Sequence, residues 1–111
     1  MTDHDIVAAY ERLVAYLRDM HAAAGRSDWD TLSALELESR TVAHCLMAGD
    51  AHGPLADDEA QRKSALIREA LTLDAAIRDL VEPRLRELDA FLGTRQRERR
   101  VQAAYGVPHA P

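Results

Sequence analysis

The residues of this chain that could carry out chemistry are few and widely separated. The five histidines fall in different segments, and no two of them have the three- or four-residue spacing that places metal ligands on one helical face. They are His4, His21, His44, His52 and His109. His44 adjoins Cys45, but adjacent helical positions point about 100° apart. We therefore expect neither a metal site nor a bound cofactor.

Nucleophiles and paired acids do not form a catalytic pattern either. The single cysteine, Cys45, cannot form an internal disulfide, and its apolar neighbours predict a small core residue. Acids commonly precede bases by four residues, as Asp74 precedes Arg78, which is typical of solvated ion pairs on a helix. The sequence has no phosphate-binding glycine loop and no recognisable nucleophile motif. We do not expect an enzyme.

A cluster of four arginines near the carboxyl end is the remaining charged feature. Its members are Arg95, Arg97, Arg99 and Arg100. From Phe91 onward the net charge is +3, and the residues before it carry −8. Only Arg95 and Arg99 share a helical face, so we do not expect direct binding of DNA or RNA. Docking to an acidic protein and ordinary solubilising charge both remain open.

The composition indicates one soluble helical domain over residues 1–111. Apolar residues make up 47% of the chain and charged residues 30%, and there are only 5 glycines and 4 prolines. No apolar run is long enough to span a bilayer, and the acidic start does not resemble a signal peptide. We therefore expect a cytoplasmic protein without membrane insertion.

Helical periodicity predicts an all-α fold, an antiparallel three-helix bundle with one long third helix plus a short C-terminal helix. Gly25 is expected to end the first helix in a left-handed conformation, and the Ser27 hydroxyl to cap the second. The predicted helices span about 3–24, 28–48, 57–92 and 94–104, and residues 106–111 are expected to form a flexible tail.

The long third helix is the most informative of these elements. At about 1.5 Å per residue it would extend about 54 Å, well beyond its neighbours, so part of it needs another partner. Its apolar stripe covers nearly half the circumference, which fits either a middle helix with two neighbours or a partner groove. Pro83 either bends this helix or divides it in two. The short last helix has only Val101, Tyr105 and some alanines to bury, so we expect it to dock weakly or to come loose.

With these features in view, the chain resembles the FliT family of flagellar type III export chaperones. The resemblance rests on the turn Gly25-Arg26-Ser27-Asp28-Trp29-Asp30, on a set of positions in the long helix and on the segment after it. The helix positions are Leu80, Arg84, Leu85, Glu87, Leu88 and Leu92-Gly93, and the later ones are Thr94-Arg95-Gln96 and Ala104-Tyr105-Gly106. Pro83 and the short tail depart from the family pattern.

The resemblance implies a cytoplasmic chaperone that binds the flagellar filament-cap protein and keeps it soluble and competent for secretion. It also implies contacts with the export ATPase and the export-gate membrane protein, a homodimer, and in some members restraint of the flagellar master transcriptional activator. The family's third helix is associated with cap-protein binding, and its last helix with restraining these contacts.

The angular positions of residues around the long helix, together with the family resemblance, give two candidate sites. The candidate client-binding residues are Leu66, Ile67, Leu71, Asp74, Arg78, Val81, Leu85 and Leu88. The candidate regulatory residues lie on the last helix, for which folding back over part of the client site is a hypothesis. They are Arg95, Arg97, Arg99, Arg100, Val101 and Tyr105. A different class of protein, a homodimerising helical adaptor without an export client, stays open, as does a transcription cofactor that acts through the arginines.

Overall fold

Three α-helices make up the regular structure of the residues that the structure describes. The computed structural model describes residues 2–49 and 54–105, and these residues contain no strand, so the predicted all-α class is confirmed. The helices are α1 (Asp3–Gly25), α2 (Trp29–Gly49) and α3 (Asp57–Ala104). The predicted tail at 106–111, and most of the loop expected around His52, lie outside the described residues.

Helix α1 begins with a capping box formed by Thr2 and Asp5. The Thr2 hydroxyl accepts a hydrogen bond from the Asp5 backbone N–H (3.2 Å), and the Asp5 carboxylate accepts one from the Thr2 N–H (2.9 Å). Both backbone donors would otherwise lack a partner in the first turn. The hydrogen bonds from Thr2, backbone first and hydroxyl second, lower the pKa of Asp5.

A tight turn joins α1 to α2 and differs from the predicted one. Ser27, not Gly25, has the left-handed conformation, with φ of 57°. The Ser27 N–H donates to the Ala24 carbonyl (3.0 Å) and the Asp28 N–H to the Ala23 carbonyl (2.9 Å), which is the Schellman arrangement at a helix end. The prediction for Gly25 was wrong because α1 continues through this residue to a cap at Arg26.

Asp28, rather than Ser27, caps the start of α2. Its carboxylate accepts hydrogen bonds from the Thr31 hydroxyl (2.7 Å) and the Thr31 backbone N–H (3.3 Å). These bonds, the hydroxyl first, lower the pKa of Asp28. Ser27 cannot serve as this cap because it is already the left-handed residue of the preceding turn. One residue, Asp28, therefore closes α1 with its N–H and opens α2 with its side chain.

The buried side of α2 is set by Val42 and Leu46. Both pack with Ala9 of α1 in one apolar cluster, and Ser39 is buried beside them with its hydroxyl donating to the Glu36 carbonyl (2.8 Å). Cys45, predicted as a core residue, is exposed. The prediction was wrong because Cys45 precedes Leu46 by one position and therefore points about 100° away from the buried side.

Helix α1 is the helix with two neighbours. One apolar cluster joins Val7 and Val14 to Leu66 of α3, and the other joins Ala9 to α2. Seven residues of α1 are buried, namely Ile6, Val7, Ala9, Val14, Met20, Ala23 and Ala24, against only Leu66 and Ile77 of α3. These clusters therefore place α1 against both of the other helices.

Polar contacts along α1 and α3 fix their relative direction. The Ala56 N–H donates to the Asp3 carboxylate (3.4 Å) near the start of both helices. Arg62 pairs with Glu11 (3.4 Å), and farther along both helices Arg18 pairs with Glu69. Because residue numbers rise together across these pairs, α1 and this part of α3 run parallel. Each pair is exposed and contributes about 0–1 kcal/mol.

Helix α3 is longer than predicted. It continues through Gly93 to Ala104, so the separate short helix expected at 94–104 is wrong. Gly93 has no left-handed backbone, and a single glycine inside a helix costs only about 1 kcal/mol relative to alanine. Pro83 also lies inside α3, so of the two predicted alternatives the continuous helix is the one observed.

Candidate interaction surfaces

Helix α3 passes through two compact units of the chain, Met1–Leu80 and Val81–Pro111. In the first unit Leu66 is only 2% exposed and contacts Val7 and Val14, with Ala70 and Leu73 packed against the same cluster. Leu66 was predicted to bind a client and is instead a core residue. Phase alone placed it near the candidate site because the core face and the outer face adjoin on one helix.

The remaining predicted residues of the first unit form a row on the outer side of α3. This outer row consists of Ile67, Leu71, Asp74 and Arg78, spaced by four, three and four residues. Leu71 is 66% exposed and Ile67 is half-buried. Asp74 and Arg78 form an ion pair (3.0 Å) with each other, so their charges are already satisfied within the row. The outer row therefore offers one large exposed apolar side chain.

The second unit presents a longer apolar row. This distal row consists of Val81, Leu85, Leu88 and Leu92, again at alternating steps of four and three. Leu85 and Leu92 are each 54% exposed and Leu88 is 41% exposed, while Val81 is half-buried. Phe91, at the edge of the row, is 58% exposed. Across the described residues 81–105 no side chain is buried, so the distal row lacks a partner within this unit.

The same spacing continues from the distal row into two arginines. Arg95 follows Leu92 by three residues, and Arg99 follows by four more, so both extend the row toward the end of α3. The Arg95 guanidinium lies over the Phe91 ring, 5.7 Å from its centroid. Such a contact orients the cation without neutralising it. Neither arginine forms an ion pair with any residue that the structure describes.

The other predicted regulatory residues lie off this row. Arg97 and Arg100 are exposed and lie roughly 100° or more from its centre. Val101 is 53% exposed and Tyr105 is 81% exposed. All of them belong to the continuation of α3 or directly follow it, so this segment does not turn back over Leu85 or Leu88. The predicted fold-back is therefore not the arrangement found.

Phe91 and Leu92 were not among the candidate client-binding residues. Both lie in the apolar stripe after Pro83, so the signal was present, but the helix boundary expected after Leu92 separated them from the arginine segment. Leu37 and Met47 of α2 were also left out and are 62% and 70% exposed. No signal in the sequence distinguishes such exposed apolar residues from those covered by a partner.

The described residues carry no arrangement suited to a metal ion. No group of three or more histidine, cysteine or acidic side chains within 2–49 and 54–105 is placed to hold one. The lowered pKa values of Asp5 and Asp28 belong to helix caps and have structural causes. The surfaces described above expose apolar and cationic side chains.

Comparison with known proteins then identifies the family. A family model described as flagellar protein FliT matches residues 7–107. The chain belongs to the FliT family. The crystal structure of flagellar protein FliT from Bordetella bronchiseptica is similar to it, with a TM-score of 0.71 and 28% identity over 78% of this chain and 97% of that chain. No curated protein sequence matches.

Membership of the FliT family confirms the resemblance drawn from the sequence. The family consists of flagellar export chaperones and not of enzymes, which agrees with the lack of a catalytic pattern in the sequence. Within residues 2–49 and 54–105, none of the helices combines the length and apolar character needed to cross a membrane.

Proposed function

We propose that this FliT-family protein binds the flagellar filament-cap protein in the cytoplasm and keeps it soluble until export. The observation that carries the proposal is the distal row, where three leucines remain 41–54% exposed on one face of a long helix. Soluble proteins seldom leave such a row open unless it meets a partner. In a family of export chaperones, the natural partner is a client segment that would otherwise aggregate.

The chemistry of such binding needs no catalysis. An amphipathic client helix can lay its apolar face against the distal row, as helix-in-groove complexes do. Each apolar Å² removed from water contributes about 25 cal/mol, so covering several leucines and Phe91 gives useful affinity. Ordering the client costs part of this energy, which keeps release at the export apparatus feasible.

Several finer expectations accompany this proposal. An up-down-up bundle of α1, α2 and the first part of α3 is supported by the parallel direction of α1 and α3. Contacts with the export ATPase and the export-gate membrane protein, a homodimer, and restraint of the flagellar master transcriptional activator are proposed from the family alone. The last of these requires a host regulator of the matching type.

The test is a binding measurement with purified filament-cap protein from the same organism. Leu85→Asp combined with Leu88→Asp is expected to weaken binding at least about tenfold, because two charges would enter the apolar contact. Leu71→Asp, at a leucine of the outer row that is 66% exposed, is the control for one such charge placed outside the distal row. Failure of the unmodified chain to bind the cap protein would refute the proposal.

A second candidate function is a homodimerising adaptor, and the exposure of Leu37 and Met47 on α2 favours it. Sedimentation velocity distinguishes the two functions. If Leu37→Asp dissociates a dimer and no cap-protein binding is found, the adaptor is supported. If Leu71→Asp or Ile67→Asp dissociates the dimer, the outer row is the interface between copies.

A further inference from the structure

The distal row and the arginines after it form one continuous face with two chemical halves. Val81, Leu85, Leu88, Leu92, Arg95 and Arg99 follow one another at steps of four, three, four, three and four. At about 100° per residue these six positions fall within roughly 80° of the helix circumference. A single helical partner can therefore touch all of them.

The two halves differ in how their charges are balanced. Beside the apolar half, Arg84 pairs with Glu87 (3.6 Å), so the surrounding charge is largely compensated. Beside the second half, Arg95 and Arg99 flank a shallow depression of about 230 Å³ that also contacts Glu98 and Gln102. Of the arginines that give the segment from Phe91 onward a net charge of +3, Arg95 and Arg99 lie on this face, and neither has an ion-pair partner among the described residues.

We propose that this face recognises an amphipathic helix whose apolar stripe is preceded by a turn rich in carboxylates, and that the partner helix lies antiparallel to α3. The inference rests on the proposed function and specifies the kind of segment that the surface accepts. Leucine-like side chains of the partner cover Leu85, Leu88 and Leu92. Its carboxylates meet Arg95 and Arg99.

The antiparallel direction follows from helix dipoles. Carboxylates in the first turn stabilise the partner's own helix, whereas carboxylates in its last turn destabilise it. The arginines lie toward the carboxyl end of α3, so a partner with acids in its first turn must point its amino end there. This arrangement also places the positive end of the partner dipole beside the negative end of α3.

The experiment uses the full chain and synthetic peptides, with affinity measured by fluorescence anisotropy. The acid-headed peptide carries three glutamates in its first turn, followed by four leucines at alternating steps of four and three. The base-headed peptide has lysines in place of the glutamates, and the acid-tailed peptide has the glutamates in its last turn. We expect the acid-headed peptide to bind at least about tenfold tighter than the base-headed peptide, because two attractive charge pairs replace two repulsive ones. We expect it to bind about two- to fivefold tighter than the acid-tailed peptide, because only the helix-dipole effect distinguishes these two.

Two double variants carry the same change in net charge and separate a specific contact from general attraction. Arg95→Glu with Arg99→Glu is expected to reverse the preference, so that the base-headed peptide binds tighter. This gain also shows that the variant is folded. Arg97→Glu with Arg100→Glu, placed off the face, is expected to keep the preference for the acid-headed peptide.

Four results would overturn the inference. The first is equal affinity for the acid-headed and base-headed peptides, and the second is the same loss of affinity in both double variants. The third is acid-tailed binding as tight as acid-headed binding. The fourth is self-association through the distal row that excludes all peptides. Cap-protein binding that is unchanged by Arg95→Glu with Arg99→Glu would also refute the inference but leave the proposed function intact. Recognition of the acid-headed peptide without any binding of the cap protein would refute the proposed function but leave the inference intact.

Discussion

Residues 57–80 and 81–104 belong to one helix but differ in what covers them. The earlier region buries Leu66 and Ile77 and packs Ala70 and Leu73 against α1, whereas the later region buries no side chain. Both regions nevertheless show the same alternation of three- and four-residue steps between apolar positions. The apolar pattern of a helix therefore indicates which side favours burial, but not whether that side is buried by the same chain or by a partner.

The largest expected difference between the two regions concerns truncation of one leucine in each. Leu66→Ala should lower the free energy of unfolding by about 2–5 kcal/mol, because it removes buried contacts and leaves a cavity. Leu88→Ala, at a position 41% exposed, should change it by no more than about 0.5 kcal/mol. Urea unfolding followed by circular dichroism measures both. Equal losses would mean that the two regions are equally covered.

Replacing Pro83 tests whether the stability of the later region is set by the hydrogen bonding of α3 itself. Pro83→Ala restores a backbone donor inside α3 and should stabilise the helix locally by up to about 3 kcal/mol. Amide hydrogen exchange of residues 84–92 should slow accordingly. Pro54→Ala, just before α3 and outside any helix, is the matched control and should leave these amides unchanged. Unchanged exchange in the Pro83 variant would contradict a continuous helix.

A smaller effect is expected at Gly93. A Cβ added there meets no atom within 4 Å, and the backbone is not left-handed. Gly93→Ala should therefore stabilise the later region by about 1 kcal/mol through helix propensity alone. Slower amide exchange in residues 95–104 is the readout. Faster exchange would indicate that Gly93 ends the helix, as its residue type suggests.

The smallest expected effect is a pH dependence confined to the earlier unit. Hydrogen bonds from Thr31 lower the pKa of Asp28, so its contribution to stability is present above the unfolded-state pKa and is lost as pH falls through the folded-state pKa. Asp28→Asn should remove that part of the acid-induced loss of stability below about pH 4. Urea midpoints of both proteins at neutral and acidic pH provide the measurement. Identical acid sensitivity in the two would argue against this cap.

Much of the fold follows from the sequence because the relevant forces are local. The alternation from Ile6 to Met20 predicted α1, whereas the capping box of Thr2 and Asp5 was found only in the structure. The end of α3 was misjudged at Gly93, since a glycine marks a helix end only when the chain also turns there. Cys45 was wrongly predicted to be buried, because residues adjacent to it in sequence project from other sides of the helix.

The candidate site was less predictable because it depends on which helices pack together. Leu66 and Leu71 both lie on the apolar side of α3, yet one is 2% exposed and the other 66%. The position of α1 beside α3 decides between them, and no local pattern encodes that position. Family resemblance indicated the class of protein but not the exposed face. Burial then showed that no residue of the distal row is buried within its unit.

The turn at Ser27 has a consequence for how the chain tolerates sequence change. Because Ser27 holds φ at 57°, glycine or asparagine should replace it readily, whereas valine or isoleucine should be poorly accepted. Gly25, two residues earlier, has ordinary helical geometry and open space around it, so it should accept alanine. In a library of single substitutions, we therefore expect Gly25 to tolerate more residue types than Ser27, although a glycine is usually the more restricted of the two.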